Sequence, residues 1–200
     1  MPEDIHRDIK PNNIFLCSVG LNSDFVKVLD FGLVKNISTE ESLMLTQKGA
    51  IAGTPAFMAP EVALGDGHID GRADIYSLGC VAYFLLTGAL VFQRKTATAM
   101  TMAHVMAAPS PPSHRSELPI PPQLEEILMK CLDKRSVARP QSAEELKGLL
   151  ESMACVQEWT QANAAAWWQT HLPPSCSYRA ERRHSELPII PSEELVDKSE

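Results

Sequence analysis

The stretch His6-Arg7-Asp8-Ile9-Lys10-Pro11-Asn12-Asn13, near the start of the 200-residue sequence, decides the fold. Its density of polar and charged residues predicts a loop, and it places a carboxylate, an ammonium and a carboxamide at Asp8, Lys10 and Asn13. A carboxylate can accept a proton, a lysine supplies a positive point charge, and an amide oxygen is a ligand for hard cations. An ordinary exposed polar loop is the better interpretation of any one of these residues alone, so the rest of the chain must decide.

Two apolar runs follow this loop and predict a β-hairpin. Ile14-Phe15-Leu16 has the composition of a short buried strand, and Phe25-Val26-Lys27-Val28-Leu29 predicts a second. The residues from Gly20 to Asp24 between them are typical of a turn. Asp30-Phe31-Gly32 follows the second strand directly, and Gly32 allows the chain to reverse. The segment 30–60 has no sustained periodicity, which predicts a long surface loop.

Helical patterns dominate the sequence after this loop. They predict helices over about 73–87, 97–106, 122–132 and 143–153. Ser142 with Glu145 three residues later predicts a capping box at the start of the last of these. The apolar stretch 78–92 is shorter than the ~20 residues that a bilayer requires. It therefore predicts a buried helix ending at Gly88, and no membrane segment in this chain.

Composition excludes some classes of function. The formal net charge is −7 and the isoelectric point is about 5.4, which argues against a general nucleic-acid-binding protein. The cysteines are odd in number, widely spaced and without a C-x-x-C pair: Cys17, Cys80, Cys131, Cys155 and Cys176. This pattern favours reduced thiols in the cytoplasm over disulfides or a zinc site.

Three motifs together resemble a known family. The stretch 6–13 resembles the catalytic loop of serine/threonine protein kinases, and Asp30-Phe31-Gly32 resembles their magnesium-binding motif. Gly53-Thr54-Pro55-Ala56-Phe57-Met58-Ala59-Pro60-Glu61 resembles the end of their activation segment, in a style similar to the bacterial branch. The resemblance extends from Ile5 to about Met153. It implies transfer of the γ-phosphate of ATP, with Mg²⁺, to Ser/Thr hydroxyls of protein substrates.

The resemblance implies a role for each residue of the catalytic loop. Asp8 would accept the proton of the substrate hydroxyl. Lys10 would place its charge beside the transferring phosphoryl group of ATP. Asn13 and Asp30 would bind the magnesium ion that bridges the ATP phosphates.

Regulatory roles are implied for three further residues. Thr54 matches the threonine that bonds the catalytic-loop lysine and aspartate, and with Lys10 it indicates Ser/Thr rather than Tyr substrates. Arg7 marks kinases that phosphorylation of the activation loop switches on, because the phosphate neutralises and orders that basic site. Thr46 is the best candidate for the phosphorylated residue, although an unmodified loop threonine is an equally good interpretation.

Structural roles are implied for three more. Asp74 matches the aspartate that braces the catalytic-loop backbone from the central helix, with a surface ion pair or helix cap as the plainer alternative. Glu61 would form a buried ion pair with Arg139 and tie the activation segment to the late helices.

Several motifs of a complete kinase are not found in the sequence. There is no G-x-G-x-x-G after a strand, no V-A-I-K lysine and no adenine-binding hinge. We therefore expect an α+β, mainly α fold: a kinase C-terminal lobe over residues 1–153 without the N-terminal lobe. A Trp- and Ala-rich helix is expected within 154–172 and a disordered tail over 173–200.

Two functions of different class follow. Losing one preorganised charge-stabilising group typically costs ~10²–10³ in rate, so a truncated kinase without its ATP clamp would be inactive by itself. The alternative is a non-catalytic, kinase-like binding or decoy module, whose apolar surface around 78–86 is covered by a partner. The intact set of catalytic-loop residues favours the kinase.

Overall fold

The computed structural model describes residues 5–20, 22–30, 55–153 and 159–171. Two strands, β1 (Ile14–Val19) and β2 (Asn22–Val28), precede six helices. The helices are α1 (Pro60–Leu64), α2 (Arg72–Thr87), α3 (Ala97–Met106), α4 (Pro122–Cys131), α5 (Ala143–Glu151) and α6 (Gln161–His171). Short 3₁₀ turns occur at Pro11–Asn13, Pro55–Phe57, Pro112–His114 and Ser136–Ala138. The described part of the chain is therefore mainly helical with a small two-stranded sheet.

The two strands form the predicted antiparallel hairpin, with Ile14 opposite Val28. The prediction that β1 is buried is wrong, because Phe15 and Leu16 are 47% and 51% exposed. Among the described helices α6 packs most extensively on the hairpin, and it lies against β2. The predicted turn is also shorter, since β2 begins at Asn22 and includes most of it.

Helix α2 forms the centre of the core. Its side chains are apolar on most faces, and Tyr76, Cys80 and Tyr83 are completely buried among residues of α3 and α4. It ends as predicted at Gly88, whose left-handed backbone (φ 64°) suits glycine. In the part of the chain that the structure describes, no helix is long and apolar enough to cross a bilayer.

The capping box of α5 is present with one difference. Ser142 Oγ accepts the Glu145 N–H at 3.1 Å, as predicted. The Glu145 carboxylate instead accepts the N–H of Gln141 at 2.7 Å, one residue earlier than the usual box. Ser142 thus satisfies one free N–H group of the first helical turn, whereas the Gln141 N–H lies before the N-cap and outside the helix.

Candidate active site

Three of the predicted site residues meet at one carboxylate. The Lys10 ammonium lies 2.6 Å from Asp8 Oδ2. The Asn13 amide donates to the Asp8 carbonyl oxygen at 2.8 Å and to Oδ2 at 3.0 Å. The Asp8 and Lys10 side chains are about one-quarter exposed, so the carboxylate is held firmly and still faces solvent.

The local sequence explains why Asn13 turns back to Asp8. Pro11 has the fixed φ that favours the first position of a helical turn, and it starts the 3₁₀ turn Pro11–Asn13. The Asn13 N–H closes this turn on the Lys10 carbonyl at 3.0 Å. The turn therefore brings residue 13 next to residue 8 before β1 begins.

His6 connects this loop to the end of β2. The ring is almost fully buried, and Nε2 lies 2.8 Å from the Leu29 carbonyl oxygen. A carbonyl can only accept, so Nε2 carries the proton and donates. Nδ1 is then the acceptor for the Asp8 N–H at 3.3 Å. One imidazole thus fixes the backbone of Asp8 relative to the residue that precedes Asp30.

Asp74 holds the same loop from the first turn of α2. Its carboxylate oxygens accept the backbone N–H groups of His6 at 2.7 Å and Arg7 at 2.8 Å. Burial raises the pKa of Asp74 above its usual value, and the two backbone hydrogen bonds oppose that shift. The central helix is therefore bonded directly to the loop that carries Asp8.

The backbone is strained on both sides of this network. Arg7 and Asp30 have φ of 67° and 63°, in the left-handed region that costs a non-glycine residue roughly 1–2 kcal/mol. Such strain persists only where neighbouring bonds over-determine the conformation, and it clusters at functional sites. The Asp74 bonds fix Arg7, and the bond from Leu29 N–H to the Asn13 carbonyl (2.9 Å) fixes the chain beside Asp30.

Asn13 and Asp30 lie at the same end of the hairpin, one just before β1 and the other two residues after β2. The bonds of the Asn13 amide nitrogen to Asp8 leave its carbonyl oxygen for a cation. No donor among the described residues engages the exposed Asp30 carboxylate. The same residues contain no cluster of three or more His, Cys, Asp or Glu side chains suited to a metal. Two oxygen ligands fit Mg²⁺ bound together with phosphates, which usually needs only one or two protein ligands.

Glu61, in the first turn of α1, and Arg139 form a bidentate ion pair at 2.6 and 2.8 Å. The Arg139 side chain is fully buried. Its remaining N–H groups donate to the carbonyls of Arg72, Asp133 and Lys134, so all five donors are satisfied. This complete pairing is what makes a buried guanidinium tolerable.

Other predicted residues lie apart from this cluster or outside the described residues. The Arg7 side chain is exposed on the surface of the loop. A cleft beside Asp8 is also lined by Phe57, Met58 and Val62. Thr46 and Thr54, with Phe31 and Gly32, fall outside the described residues.

Sequence reasoning missed a buried polar cluster in the core. Tyr76 Oη lies 2.9 Å from His104 Nδ1, and the Lys134 ammonium donates to Tyr76 Oη (3.3 Å) and to the His104 carbonyl (2.7 Å). Burial, and secondly the Lys134 charge, lower the pKa of His104 to about 4. Burial lowers the pKa of Lys134 to about 8. No local pattern signals this cluster, because its members come from three separate elements. Asp24, whose carboxylate binds two tryptophans, was missed for the same reason.

Comparison with known proteins identifies the family. The family model described as "Protein kinase domain" matches residues 3–155. Serine/threonine-protein kinase pkn3 of Myxococcus xanthus is 40% identical over 151 residues, covering 74% of this chain and 27% of the relative. Serine/threonine-protein kinase Pkn1 of the same species is 43% identical over 148 residues, covering 74% of this chain and 21% of the relative. PknB of Mycobacterium leprae is 40% identical over 143 residues, covering 72% and 22%.

The chain therefore belongs to the protein kinase domain family. Its relatives bear the names of bacterial serine/threonine kinases. The chain spans only about a fifth to a quarter of the length of these relatives.

Proposed function

We propose that this chain carries the phosphotransfer site of a serine/threonine protein kinase, on the C-terminal lobe of the kinase domain. The observation that supports this most strongly is the convergence of Lys10 and Asn13 on the Asp8 carboxylate. Phosphoryl transfer requires mainly positioned charge. Here hydrogen bonds fix the Asp8 backbone, and the Lys10 ammonium is paired with the Asp8 carboxylate.

Each residue has a distinct part in this proposal. Asp8 accepts the hydrogen bond and then the proton of the attacking hydroxyl. Lys10, 2.6 Å from Asp8, balances the negative charge that collects around the transferring phosphoryl group. Asn13 and Asp30 hold Mg²⁺, which when bound neutralises the ATP phosphates.

The acceptor is a serine or threonine of a protein substrate. The cleft beside Asp8 is lined by residues 57 and 58. These residues closely follow Thr54, which matches the threonine typical of serine/threonine kinases. Phosphorylation at Thr46 would bring a dianion toward the exposed Arg7 guanidinium and order the loop. The free thiols of Cys17, Cys80 and Cys131 suit a cytoplasmic, reducing environment.

No sequence motif in these 200 residues provides the groups that would clamp ATP. We expect the chain alone to transfer phosphate only at background. The test therefore fuses the N-terminal, ATP-clamping lobe of a serine/threonine kinase in front of the chain, and first measures ATP binding by the fusion. γ-Labelled ATP is then offered with Ser-, Thr- and Tyr-containing peptides.

The fusion should label the Ser and Thr peptides, not the Tyr peptide, and EDTA should stop the labelling by removing Mg²⁺. A fusion that binds ATP yet labels no peptide would overturn the proposal.

A non-catalytic binding module is the second candidate, and an exposed apolar face favours it. Leu85 is 75% and Leu78 41% exposed, and the two lie two helical turns apart on one face of α2. Exposed apolar side chains that share one helix face can form a contact with another protein or segment. An ATP-binding fusion without transfer activity would favour this function.

A further inference from the structure

The far end of the hairpin contains an irregularity at Ser23 and Asp24. Cys17 lies opposite Phe25 and Val19 opposite Asn22, so β2 has one residue more than β1 between these pairs. Asp24 adopts a left-handed backbone (φ 60°), as expected in a bulge. Of the described non-glycine residues only Arg7, Asp24 and Asp30 have positive φ, and the other two belong to the candidate active site.

Helix α6 and the residues just before it bind this bulge through polar groups. The indole N–H of Trp159 donates to Asp24 Oδ2 at 2.7 Å, and that of Trp168 donates to Oδ1 at 2.6 Å. The Gln161 amide accepts the Ser23 N–H at 2.9 Å and donates to the Ser23 carbonyl at 3.1 Å. The bulge frees backbone groups from the ladder, and Gln161 pairs with them as a neighbouring strand would.

The apolar part of this contact is small. Ala164 is the buried residue of α6, and Trp159 and Trp167 are 59% and 41% exposed. The attachment therefore depends on the hydrogen bonds to Asp24 and Ser23, of which the two to the carboxylate are charge-assisted and the stronger. Because α6 lies beyond residues 3–155, it is an addition to the part of the chain that the family model matches.

The hairpin connects this contact to the candidate active site. Its other end carries Asn13 and Asp30, joined by the bond from Leu29 N–H to the Asn13 carbonyl. We propose that Asp24 is a positioning residue. Its hydrogen bonds to Trp159 and Trp168 anchor α6 on the hairpin, and this attachment is called the clasp. The clasp in turn holds Asn13 and Asp30 in place. The importance of those two residues rests on the proposed function, whereas the clasp itself does not.

Tryptophan fluorescence reports on the clasp specifically, because all three tryptophans of the sequence (Trp159, Trp167 and Trp168) belong to this segment. Asp24→Asn is the sharpest variant, since asparagine tolerates the left-handed backbone but has one oxygen and no charge for two indole donors. Asp66→Asn is the matched control: an aspartate in a surface turn that accepts the His68 N–H.

We expect Asp24→Asn to shift the tryptophan emission to longer wavelength. We also expect amide hydrogen exchange at Leu29 to accelerate by about tenfold, with exchange in α2 unchanged, while Asp66→Asn changes neither. Unchanged emission in Asp24→Asn would overturn the clasp. A shifted emission with unchanged exchange at Leu29, or with equal acceleration in α2, would overturn the positioning role. Neither measurement uses ATP, so a failure here is distinct from a failure of the kinase proposal.

Discussion

The Asp74 carboxylate and the backbone N–H of His6 are joined by a 2.7 Å hydrogen bond across 68 positions of the sequence. The neighbouring N–H of Arg7 binds the other carboxylate oxygen. Through these two bonds the core helix α2 determines where the loop that carries Asp8 lies. The loop of residues 6–13 is therefore tied to the core through its backbone.

Replacing Asp74 should test this connection. Asp74→Ala removes two charge-assisted bonds and leaves the N–H of the buried His6 without its acceptor, so we expect a loss of about 2–4 kcal/mol in the free energy of unfolding. Urea denaturation followed by circular dichroism measures it. Asp66→Ala, at the surface, should cost less than about 0.5 kcal/mol. Equal losses of unfolding free energy in the two variants would show that Asp74 does not hold the loop to α2.

The ion pair of Glu61 and Arg139 should be costly to break from one side. Glu61→Ala leaves a fully buried guanidinium without its counter-charge, for which we expect a loss of about 3–5 kcal/mol in the free energy of unfolding. The exposed pair of Lys130 and Glu126 provides the control, and Glu126→Ala should change stability by less than about 1 kcal/mol. A small effect at Glu61 would mean that water replaces the carboxylate.

Two helical glycines should respond oppositely to the same substitution. A Cβ at Gly79 in α2 would lie 2.8 Å from the Cβ of Cys131, which is part of α4 and cannot rotate away. Gly79→Ala should therefore destabilise the protein by about 1–3 kcal/mol. At Gly148 in α5 nothing lies within 4 Å, so Gly148→Ala should stabilise it by about 0.5–1 kcal/mol through helix propensity. Melting temperatures of the two variants that move in the same direction would contradict this packing.

His104 should make the fold sensitive to acid. Its pKa is about 4 in the folded protein and 6.5 ordinarily, so between these values the unfolded chain binds more protons than the folded one. Stability is then lost as the pH falls from 6.5 toward 4, by up to about 1.4 kcal/mol per pH unit.

The urea midpoint, measured at pH 7, 6 and 5, should change less steeply with pH for His104→Gln than for the wild type. The exposed His114 serves as the control, and His114→Gln should keep the wild-type slope. If the urea midpoint fell equally steeply with pH in all three proteins, His104 would not be the source of the acid sensitivity.

Local patterns predicted the bounds of helices α2, α3, α4 and α5 to within two residues. Gly88 ends α2 and Ser142 caps α5 because both effects depend on residues within one turn. The short helix α1 was missed, since five residues are too few to show a period. The burial of β1 was wrong because apolar composition does not say whether another element covers the strand.

The contacts that organise the site depend on distant residues, and the sequence alone could place only those that the family resemblance suggested. The roles of Asp74, Glu61 and Arg139 came from that resemblance, and the structure brings them to the expected partners. The family resemblance suggested no role for Asp24. Its hydrogen bond with Trp168, 144 positions away, requires a β-bulge that the turn residues of the sequence did not predict.

The most direct test of the proposed chemistry is the rate of phosphate transfer after Asp8→Asn, measured in the fusion that carries an ATP-clamping lobe. With ATP binding shown to be equal, the variant should be at least ~100-fold slower than the unsubstituted fusion, because asparagine cannot accept the hydroxyl proton. The surface variant Asp66→Asn should keep the full rate. If Asp8→Asn transfers phosphate as fast as the unsubstituted fusion, Asp8 is not the catalytic base and the proposed site is wrong.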